Sequence, residues 1–233
     1  MNNLSQFNIT TRWPANDPSK IQLYSFPTPN GVKVSIALEE MGLSYEPHLV
    51  TLSDVDVKSP EFLSLNPNNK IPAIIDPNGP DGTPLALFES GAILLYLGEK
   101  TGKLIGSNAS EKAVITQWVM FQMGGLGPMF GQLGYFFKFA GSEIEDPRPR
   151  QRYIDEAKRL LAVVEKQLEG REWIAGDFSI ADIAIGPWLA ALDFYGAREV
   201  LGWKDHKNTV AYLERFLARP AVQKGRATPA RPA

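Results

Sequence analysis

The chain has no cysteine and only two histidines, His48 and His206, among its 233 residues. The absence of cysteine excludes disulfides, thiolate metal sites, iron–sulfur clusters and a nucleophilic thiol supplied by the protein itself. Two histidines are too few for a histidine-rich metal centre, so no metal is expected. Any sulfur chemistry must therefore use a thiol that arrives with a ligand.

The sequence also lacks an excess of positive charge and a long apolar run. Its 24 Lys and Arg residues are balanced by 26 Asp and Glu residues, so there is no basic field to hold a nucleic acid. The apolar stretch 183–192 contains Gly186 and Pro187 and is much shorter than the ~20 residues that span a membrane. Residues 1–20 contain no apolar signal segment. We therefore expect a cytoplasmic protein without membrane contact.

Residues 21–103 alternate between strand and helix patterns. Short apolar runs predict four strands, and helical spacing predicts helices that end at Gly42 and Gly102. The order βαβ followed by ββα predicts a mixed four-stranded sheet flanked by helices. The predicted strands are 21–26, 45–52, 71–75 and 85–88, and the predicted helical segments are 34–41, 60–63 and 89–100.

Helical spacing dominates the rest of the chain and predicts helices over 113–139, 152–168, 179–195 and 210–217. The fold is thus an α/β domain followed by an all-α domain. We expect these boundaries: a polar extension over 1–20, the α/β domain over 21–103, a linker over 104–109, the helical domain over 110–225 and a mobile tail over 226–233. Ser179 and Asp182 form a capping-box pattern, whose role is structural.

Three short segments could carry chemistry, and each has an ordinary structural alternative. Pro72 opens a predicted strand; most such bonds are trans, whereas a cis bond would turn the backbone of Ile71 outward to pair with a peptide. Ser90, at a helix start, could bind a carboxylate while Glu89 pairs with an ammonium, or the two could simply begin the helix.

The third segment lies between the first strand and the first helix. Thr28 or Asn30 could simply cap that helix. The same free N–H groups would also stabilise a thiolate placed at the helix N-terminus.

A run of glycines lies inside the predicted helix 113–139. Gly124, Gly125 and Gly127 would each cost ~1 kcal/mol relative to alanine there, which indicates that something approaches the backbone closely. A dimer interface and the wall of a pocket for an apolar second substrate are the two explanations that we consider.

The order of these motifs resembles that of the cytosolic glutathione transferases, in particular the nu-class and Ure2p-like members. The resemblance covers about residues 20–220 and includes the thioredoxin-like domain of that family. It is carried by five segments: SFPTPNG at 25–31, NPNNKIPA at 66–73, LFESGAI at 87–93, QMGGLGPMFGQ at 122–132 and DFSIADIA at 177–184.

The resemblance implies a glutathione site and a cis bond before Pro72. Ile71 would pair with the cysteinyl part of the tripeptide, Glu89 and Ser90 would hold the γ-glutamyl group, and Lys70 would hold the glycyl carboxylate. Asn30 and Thr28 would lie near the sulfur as the catalytic residues, with Tyr24 and Ser25 as weaker candidates.

Two further positions follow from the same resemblance. Arg152 matches an arginine that contributes to the active site of related enzymes, although it could equally be a solvated helix charge. Val57 stands where relatives carry Gln or His for the glycyl end, so that contact would depend on Lys70, aided by Lys58.

The function implied is that of a glutathione-dependent disulfide oxidoreductase or transferase. Glutathione, reduced or as its disulfide, would be the co-substrate, and a disulfide or hydrophobic electrophile would be the second substrate, as in detoxification. The resemblance also implies a homodimer. The alternative is a non-catalytic protein, either a ligandin for hydrophobic compounds or a Ure2p-like regulator.

Overall fold

The computed structural model describes residues 4–230. Two compact units account for these residues. The first consists of residues 4–103 and 220–230, and the second is Leu104–Arg219. Residues 1–3 of the predicted extension and 231–233 of the predicted tail lie outside the described residues.

The first unit contains the predicted mixed sheet of four strands. These are β1 (Ile21–Ser25), β2 (Tyr45–Leu49), β3 (Ala73–Asp76) and β4 (Leu85–Phe88), in the order β2-β1-β3-β4. β1 pairs with β2 in parallel and with β3 in antiparallel, and β3 pairs with β4 in antiparallel. This is the thioredoxin-like α/β architecture that the sequence predicted.

α1 (Gly31–Met41) connects β1 to β2, α2 (Asp54–Val57) and α3 (Pro60–Leu65) lie between β2 and β3, and α4 (Ser90–Thr101) follows β4. Gly42 and Gly102 follow α1 and α4 in the left-handed conformation, with φ of 71° and 66°, which glycine adopts without steric cost. Both predicted helix ends are confirmed. The short helix α2 was not predicted from the sequence.

The second unit is helical and comprises α5 (Ala109–Phe121), α6 (Gly127–Lys138), α7 (Pro147–Gln167), α8 (Ile180–Tyr195) and α9 (Lys207–Ala218). The sequence predicted one continuous helix over 113–139. A π-helical segment, Gln122–Leu126, instead joins α5 to α6. Such segments occur where one extra residue is inserted into a helix.

The glycines of this region have different surroundings. A Cβ atom at Gly134 would lie 2.7 Å from the ring of Tyr195, and one at Gly127 would lie 3.2 Å from Trp188. Gly134 therefore permits close packing of α6 on α8. A Cβ atom at Gly127 would also clash with the Gln122 side chain, so packing within the unit explains these glycines without a dimer interface or a pocket. At Gly124 a Cβ atom would meet nothing within 4 Å.

A tenth helix, α10 (Pro220–Arg226), belongs to the first unit and packs against α1. The Ser35 hydroxyl donates a hydrogen bond of 2.7 Å to the carbonyl of Gly225. A Cβ atom at Gly225 would lie 2.6 Å from the backbone of Ile36, so glycine permits this close approach. The grouping differs from the predicted boundary, which placed residues 220–225 in the helical domain.

The N-terminal extension is part of the first unit's core. Leu4 and Ile9 lie in two 3-10 turns, Leu4–Gln6 and Asn8–Thr11, and both side chains are buried. The Trp13 indole N–H donates to the carbonyl of Leu49 at 3.1 Å. The sequence predicted a polar extension, whereas its apolar residues Leu4, Ile9 and Trp13 pack in or against the core cluster of the first unit.

Within residues 4–230, none of the helices has the length and apolar character that crossing a membrane requires. The same described residues contain no group of three or more acidic or histidine side chains that could hold a metal ion.

Candidate functional site

The strand register brings three predicted segments to one end of the sheet. Tyr24 of β1 is paired with Ala73 of β3, and Ala73 is paired with Phe88 of β4. The loop that follows β1, the peptide that precedes β3 and the turn that follows β4 therefore meet at the same end of the sheet, which we call the sheet edge below. The Ile71–Pro72 bond at this edge is cis, as the family resemblance implied.

The N-terminus of α1 shows which residue caps the helix. The Thr28 hydroxyl accepts the N–H of Gly31 at 3.2 Å, and the Thr28 carbonyl accepts the N–H of Val32 at 3.0 Å. Asn30 makes no capping hydrogen bond with its side chain. Its Oδ1 instead accepts a hydrogen bond of 2.7 Å from Nζ of Lys33. The capping alternative therefore applies to Thr28 and not to Asn30.

Glu89 and Ser90 form the turn into α4. Glu89 is exposed and has a φ of 71°, a conformation that is costly for a residue with a side chain and that clusters at functional sites. Ser90 is the first residue of α4 and is buried. Lys33 Nζ lies 3.5 Å from the Ser90 hydroxyl, so the side chain of Lys33 links the loop after β1 to this turn.

Lys33 is a site residue that the sequence analysis missed. Its side chain is fully buried, with 0% of its surface exposed. Burial lowers the pKa of its ammonium well below the usual value, and the nearby charge of Glu89 opposes that effect. The available sequence signal was a lysine in the mostly apolar run 32–38, three residues after Asn30 and so on the same helix face.

Asn66 was also missed, and it shapes the loop that carries Lys70. Asn66 is buried, and its Nδ2 donates to the carbonyl of Lys70 while its Oδ1 accepts the N–H of Asn68 at 2.9 Å. The Asn66 carbonyl accepts the N–H of Asn69 at 3.1 Å. These bonds hold Lys70, which is exposed, directly before the cis peptide.

The segment before α3 contains Val57, which stands where relatives carry Gln or His, and Lys58. Val57 is buried in the hydrophobic core cluster that also contains Ile9 and Phe62, so it is a core residue. Lys58 is exposed and forms an ion pair of 2.8 Å with Asp54.

Tyr24 packs in the sheet. It is fully buried, and its ring is stacked on that of His48 with centroids 4.7 Å apart. Burial raises the pKa of the Tyr24 hydroxyl well above its usual value, and the charge of Glu46 adds to that effect. A phenol held neutral in this way is a poor source of an anion. The Ser25 hydroxyl lies 3.5 Å from the Phe26 carbonyl.

Arg152 belongs to the second unit, where it is exposed on α7. It lines a groove of about 870 Å³, whose other lining residues are Met129, Arg148, Gln151, Tyr153, Asp155, Glu156 and Arg159. Arg148 is paired with Asp146 at 2.6 Å and Arg159 with Glu156 at 2.7 Å. Within residues 4–230, Arg152 makes no hydrogen bond, so its donors can serve a ligand.

The first unit thus brings together Thr28, Asn30, Ile71, Pro72, Glu89 and Ser90 at one sheet edge, with Lys70 directly before the cis peptide. A helix N-terminus, a cis-proline peptide and a buried serine at a second helix start therefore lie together at one end of a thioredoxin-like sheet.

Comparison with known proteins places this fold and site in a family. Residues 19–99 match the glutathione S-transferase N-terminal domain, and residues 147–215 match its C-terminal domain. The chain is 45% identical over 204 residues to the disulfide-bond oxidoreductase YfcG of Escherichia coli K12, which covers 87% of this chain and 92% of that protein. The chain therefore belongs to the glutathione S-transferase family.

Two solved structures are closely similar over the whole chain. A glutathione transferase from Burkholderia graminis, with two glutathione molecules bound per subunit, is 63% identical with a TM-score of 0.97 and covers 100% of this chain and 98% of its own. A glutathione transferase from Pseudomonas putida, with one glutathione disulfide bound per subunit, is 56% identical with a TM-score of 0.97. The match covers 98% of this chain and 100% of that one.

Proposed function

We propose that this protein is a glutathione-dependent disulfide oxidoreductase of the nu-class or Ure2p-like subgroup, able also to transfer glutathione to electrophiles. The observation that carries this proposal is the meeting of the loop after β1, the Ile71–Pro72 peptide and the Glu89–Ser90 turn at one sheet edge. The similarity to transferases with glutathione or its disulfide bound supports the same ligand here.

Each part of the tripeptide has a matching group at this edge. The backbone of Ile71 precedes β3 and would pair with the cysteinyl residue as a short added strand. The buried Ser90 and the N-terminus of α4 would bind the γ-glutamyl carboxylate, and Glu89 would bind its ammonium. Lys70, held by Asn66, would neutralise the glycyl carboxylate.

The sulfur would lie at the N-terminus of α1. Helix N-termini and neutral hydrogen-bond donors lower the pKa of a thiol by stabilising its thiolate. Asn30 and Thr28 would provide this environment without a general base. Since the chain has no cysteine, no mixed disulfide with the protein can form.

Both reducing equivalents must therefore come from glutathione. The bound thiolate attacks one sulfur of the substrate disulfide; the S–S bond breaks, and the departing thiolate takes up a proton. A second glutathione, as its thiolate, then attacks the glutathione sulfur of the mixed disulfide. This step releases the other substrate thiol and glutathione disulfide, so two glutathiones are oxidised for each disulfide reduced. A site that holds two glutathiones suits this sequence.

Arg152 is the residue that we propose as a contact for the second ligand. Its donors have no hydrogen-bond partner within the described residues, and its groove contains both apolar and charged side chains. We also infer a cytoplasmic homodimer. Gly124 is compatible with the dimer because it is exposed and a Cβ atom built there would meet nothing within 4 Å.

Titration calorimetry with glutathione and with glutathione disulfide tests the site. Turnover assays with hydroxyethyl disulfide and with an aryl halide then separate reduction from conjugation. We expect binding of both redox forms and faster turnover with the disulfide. No heat with either form would overturn the proposal, and failure of both assays together with tight binding of aromatic dyes would establish a ligandin or regulator instead.

A further inference from the structure

Lys33 is a cation buried in the first turn of α1. Its side chain is 0% exposed. Its neighbours in the sequence include the apolar residues Val32, Val34 and Ile36. Burying an ammonium group costs free energy unless hydrogen bonds compensate. A lysine that only filled space would be replaced by methionine or leucine at no loss, so its polar contacts need an explanation.

The stronger of these contacts is with Asn30. Lys33 Nζ donates to Asn30 Oδ1 at 2.7 Å. A lysine ammonium has donors and no acceptor, whereas a side-chain amide has an oxygen that accepts and an NH₂ group that donates. The lysine therefore selects the oxygen end of the amide, and the NH₂ end of Asn30 must point away from Lys33.

We propose that Lys33 is a positioning residue that fixes the Asn30 amide with its NH₂ group as the donor for the glutathione sulfur and ties it to Ser90. The inference rests on the proposed function, because it assigns a role within that same site. The amide orientation matters because a reversed Asn30 would present its oxygen to a thiolate, and two electron-rich atoms repel each other. The 3.5 Å approach of Nζ to the Ser90 hydroxyl joins the sulfur end of the site to the glutamyl end.

The charges around Lys33 are compatible with this role. Glu89, beside Ser90, is the carboxylate whose charge favours the ammonium form of Lys33. The ammonium form, which has donors only, is the form that selects the amide oxygen, because a neutral amine also carries a lone pair that could accept from the NH₂ group. Lys33 thus acts through Asn30, by orienting the Asn30 NH₂ group toward the glutathione sulfur.

A double-mutant cycle separates positioning from simple packing. Lys33→Met keeps the length and apolar stem but removes the donors, and we expect it to lower disulfide turnover by about tenfold and to raise the pKa of the bound glutathione thiol, followed by thiolate absorbance against pH. In the Asn30→Ala background the same change should alter turnover less than about twofold, because the group it orients is gone. Lys33→Arg, which keeps donors at this place, should restore turnover to within about threefold of the wild type.

Ser35→Ala is the matched control. It removes another buried polar group from α1, one that bonds to Gly225 and not to the site residues. We expect it to lower the unfolding temperature while leaving the thiol pKa unchanged. A thiol pKa that shifts equally in Ser35→Ala and Lys33→Met would show a general disturbance of α1 and would overturn the inference.

A nuclear magnetic resonance measurement on the wild-type protein needs neither glutathione nor a folded variant. The side-chain NH₂ protons of Asn30 should show weaker Overhauser effects to the ε-methylene of Lys33 than a reversed amide would produce. Strong effects between these groups would overturn the inference even if glutathione turnover is normal. The expected orientation without any glutathione binding would instead support the inference on Asn30 and reject the proposed function.

Full turnover of Lys33→Met, with the wild-type thiol pKa, would also overturn it while the proposed function stood. Additive losses in the cycle would show that Lys33 acts independently of Asn30, and they contradict the inference as well.

Discussion

The carboxylate of Asp182 accepts the backbone N–H of Ser179 at 2.8 Å and the backbone N–H of Ile174 at 2.9 Å. One oxygen closes the capping box at the start of α8, and the other holds the loop that precedes it. Asp182 is fully buried. A single side chain thus satisfies donors that would otherwise be buried without a partner.

Asp182→Ala is therefore expected to destabilise the protein. The N–H groups of Ser179 and Ile174 would lose their acceptor, and each buried N–H left without a partner costs roughly 1–3 kcal/mol. We expect the free energy of unfolding in urea to fall by about 3 kcal/mol. The glutathione affinity of the folded fraction should not change, and an unaltered unfolding midpoint would contradict the assignment.

The pH dependence of stability should also reflect Asp182. Burial raises the pKa of its carboxyl to about 6, and the hydrogen bonds from Ile174 and Ser179 oppose that effect. Because the folded state retains a proton that the unfolded state releases near pH 4, this residue stabilises the fold most below pH 4, and the contribution is lost as the pH rises through 6. The loss is about 3 kcal/mol.

Asp182→Asn has no such proton and is the reference for this measurement. The unfolding free energy of the wild type, minus that of Asp182→Asn, should decrease between pH 4 and pH 7. A difference that is constant or rises over that range would show that the carboxyl is ionised in the folded protein throughout.

Asn30→Ala should reduce disulfide turnover at least about tenfold, which corresponds to ~1.4 kcal/mol of transition-state stabilisation. The reason is the loss of a hydrogen-bond donor beside the proposed thiolate. Circular dichroism should show an intact fold, since Thr28 and not Asn30 caps α1. Near-wild-type turnover would remove Asn30 from the mechanism.

Arg152→Ala should raise the KM for a glutathione-containing disulfide by about tenfold, because a charge-assisted hydrogen bond is worth roughly 1.5–3 kcal/mol. Arg159→Ala is the matched control on the same groove, and its guanidinium is already paired with Glu156. We expect the control to change KM less than twofold. Equal effects of the two changes on KM would show that Arg152 only adds to the positive charge of the groove and does not contact the ligand specifically.

Ile9→Ala tests the structural role of the N-terminal extension. Ile9 is fully buried in the core cluster of the first unit, and such truncations cost about 2–5 kcal/mol. Ile144→Ala is the control, since Ile144 is 42% exposed and should change stability only slightly. If Ile9→Ala unfolds at the same urea concentration as the wild type, the extension does not contribute to the core.

Local patterns were sufficient for most of the elements and for part of the site. Alternation and helical spacing predicted all four strands and the ends of α1 and α4, because these depend on neighbours in sequence and on Gly42 and Gly102. The same patterns missed the π-helical segment Gln122–Leu126, since its apolar spacing is that of an ordinary helix. They also missed α10, whose place depends on the close approach of Gly225 to Ile36.

The candidate site shows the same division. Asn30, the Ile71–Pro72 peptide and Ser90 carry a recognisable order of motifs, so the sequence indicated them. Lys33 lies outside the recognised segments, and Asn66 lies in one of them without an assigned role; both act through contacts with Asn30, Ser90 and Lys70 that exist only in the folded chain. Whether a polar residue on a helix faces water or the core is decided by what packs over it.

By itself the sequence determined that the protein has no thiol, that a mixed α/β unit precedes a helical one, and which short segments could bind a ligand, because composition and local spacing are properties of the chain. Only the tertiary structure decided that these segments meet at one sheet edge and that Lys33 is buried between Asn30 and Ser90. The physical reason is that strand register and helix packing bring together groups far apart in the chain, such as Lys33 and Ser90, which are 57 residues apart. The free energy of a buried charge depends on such partners.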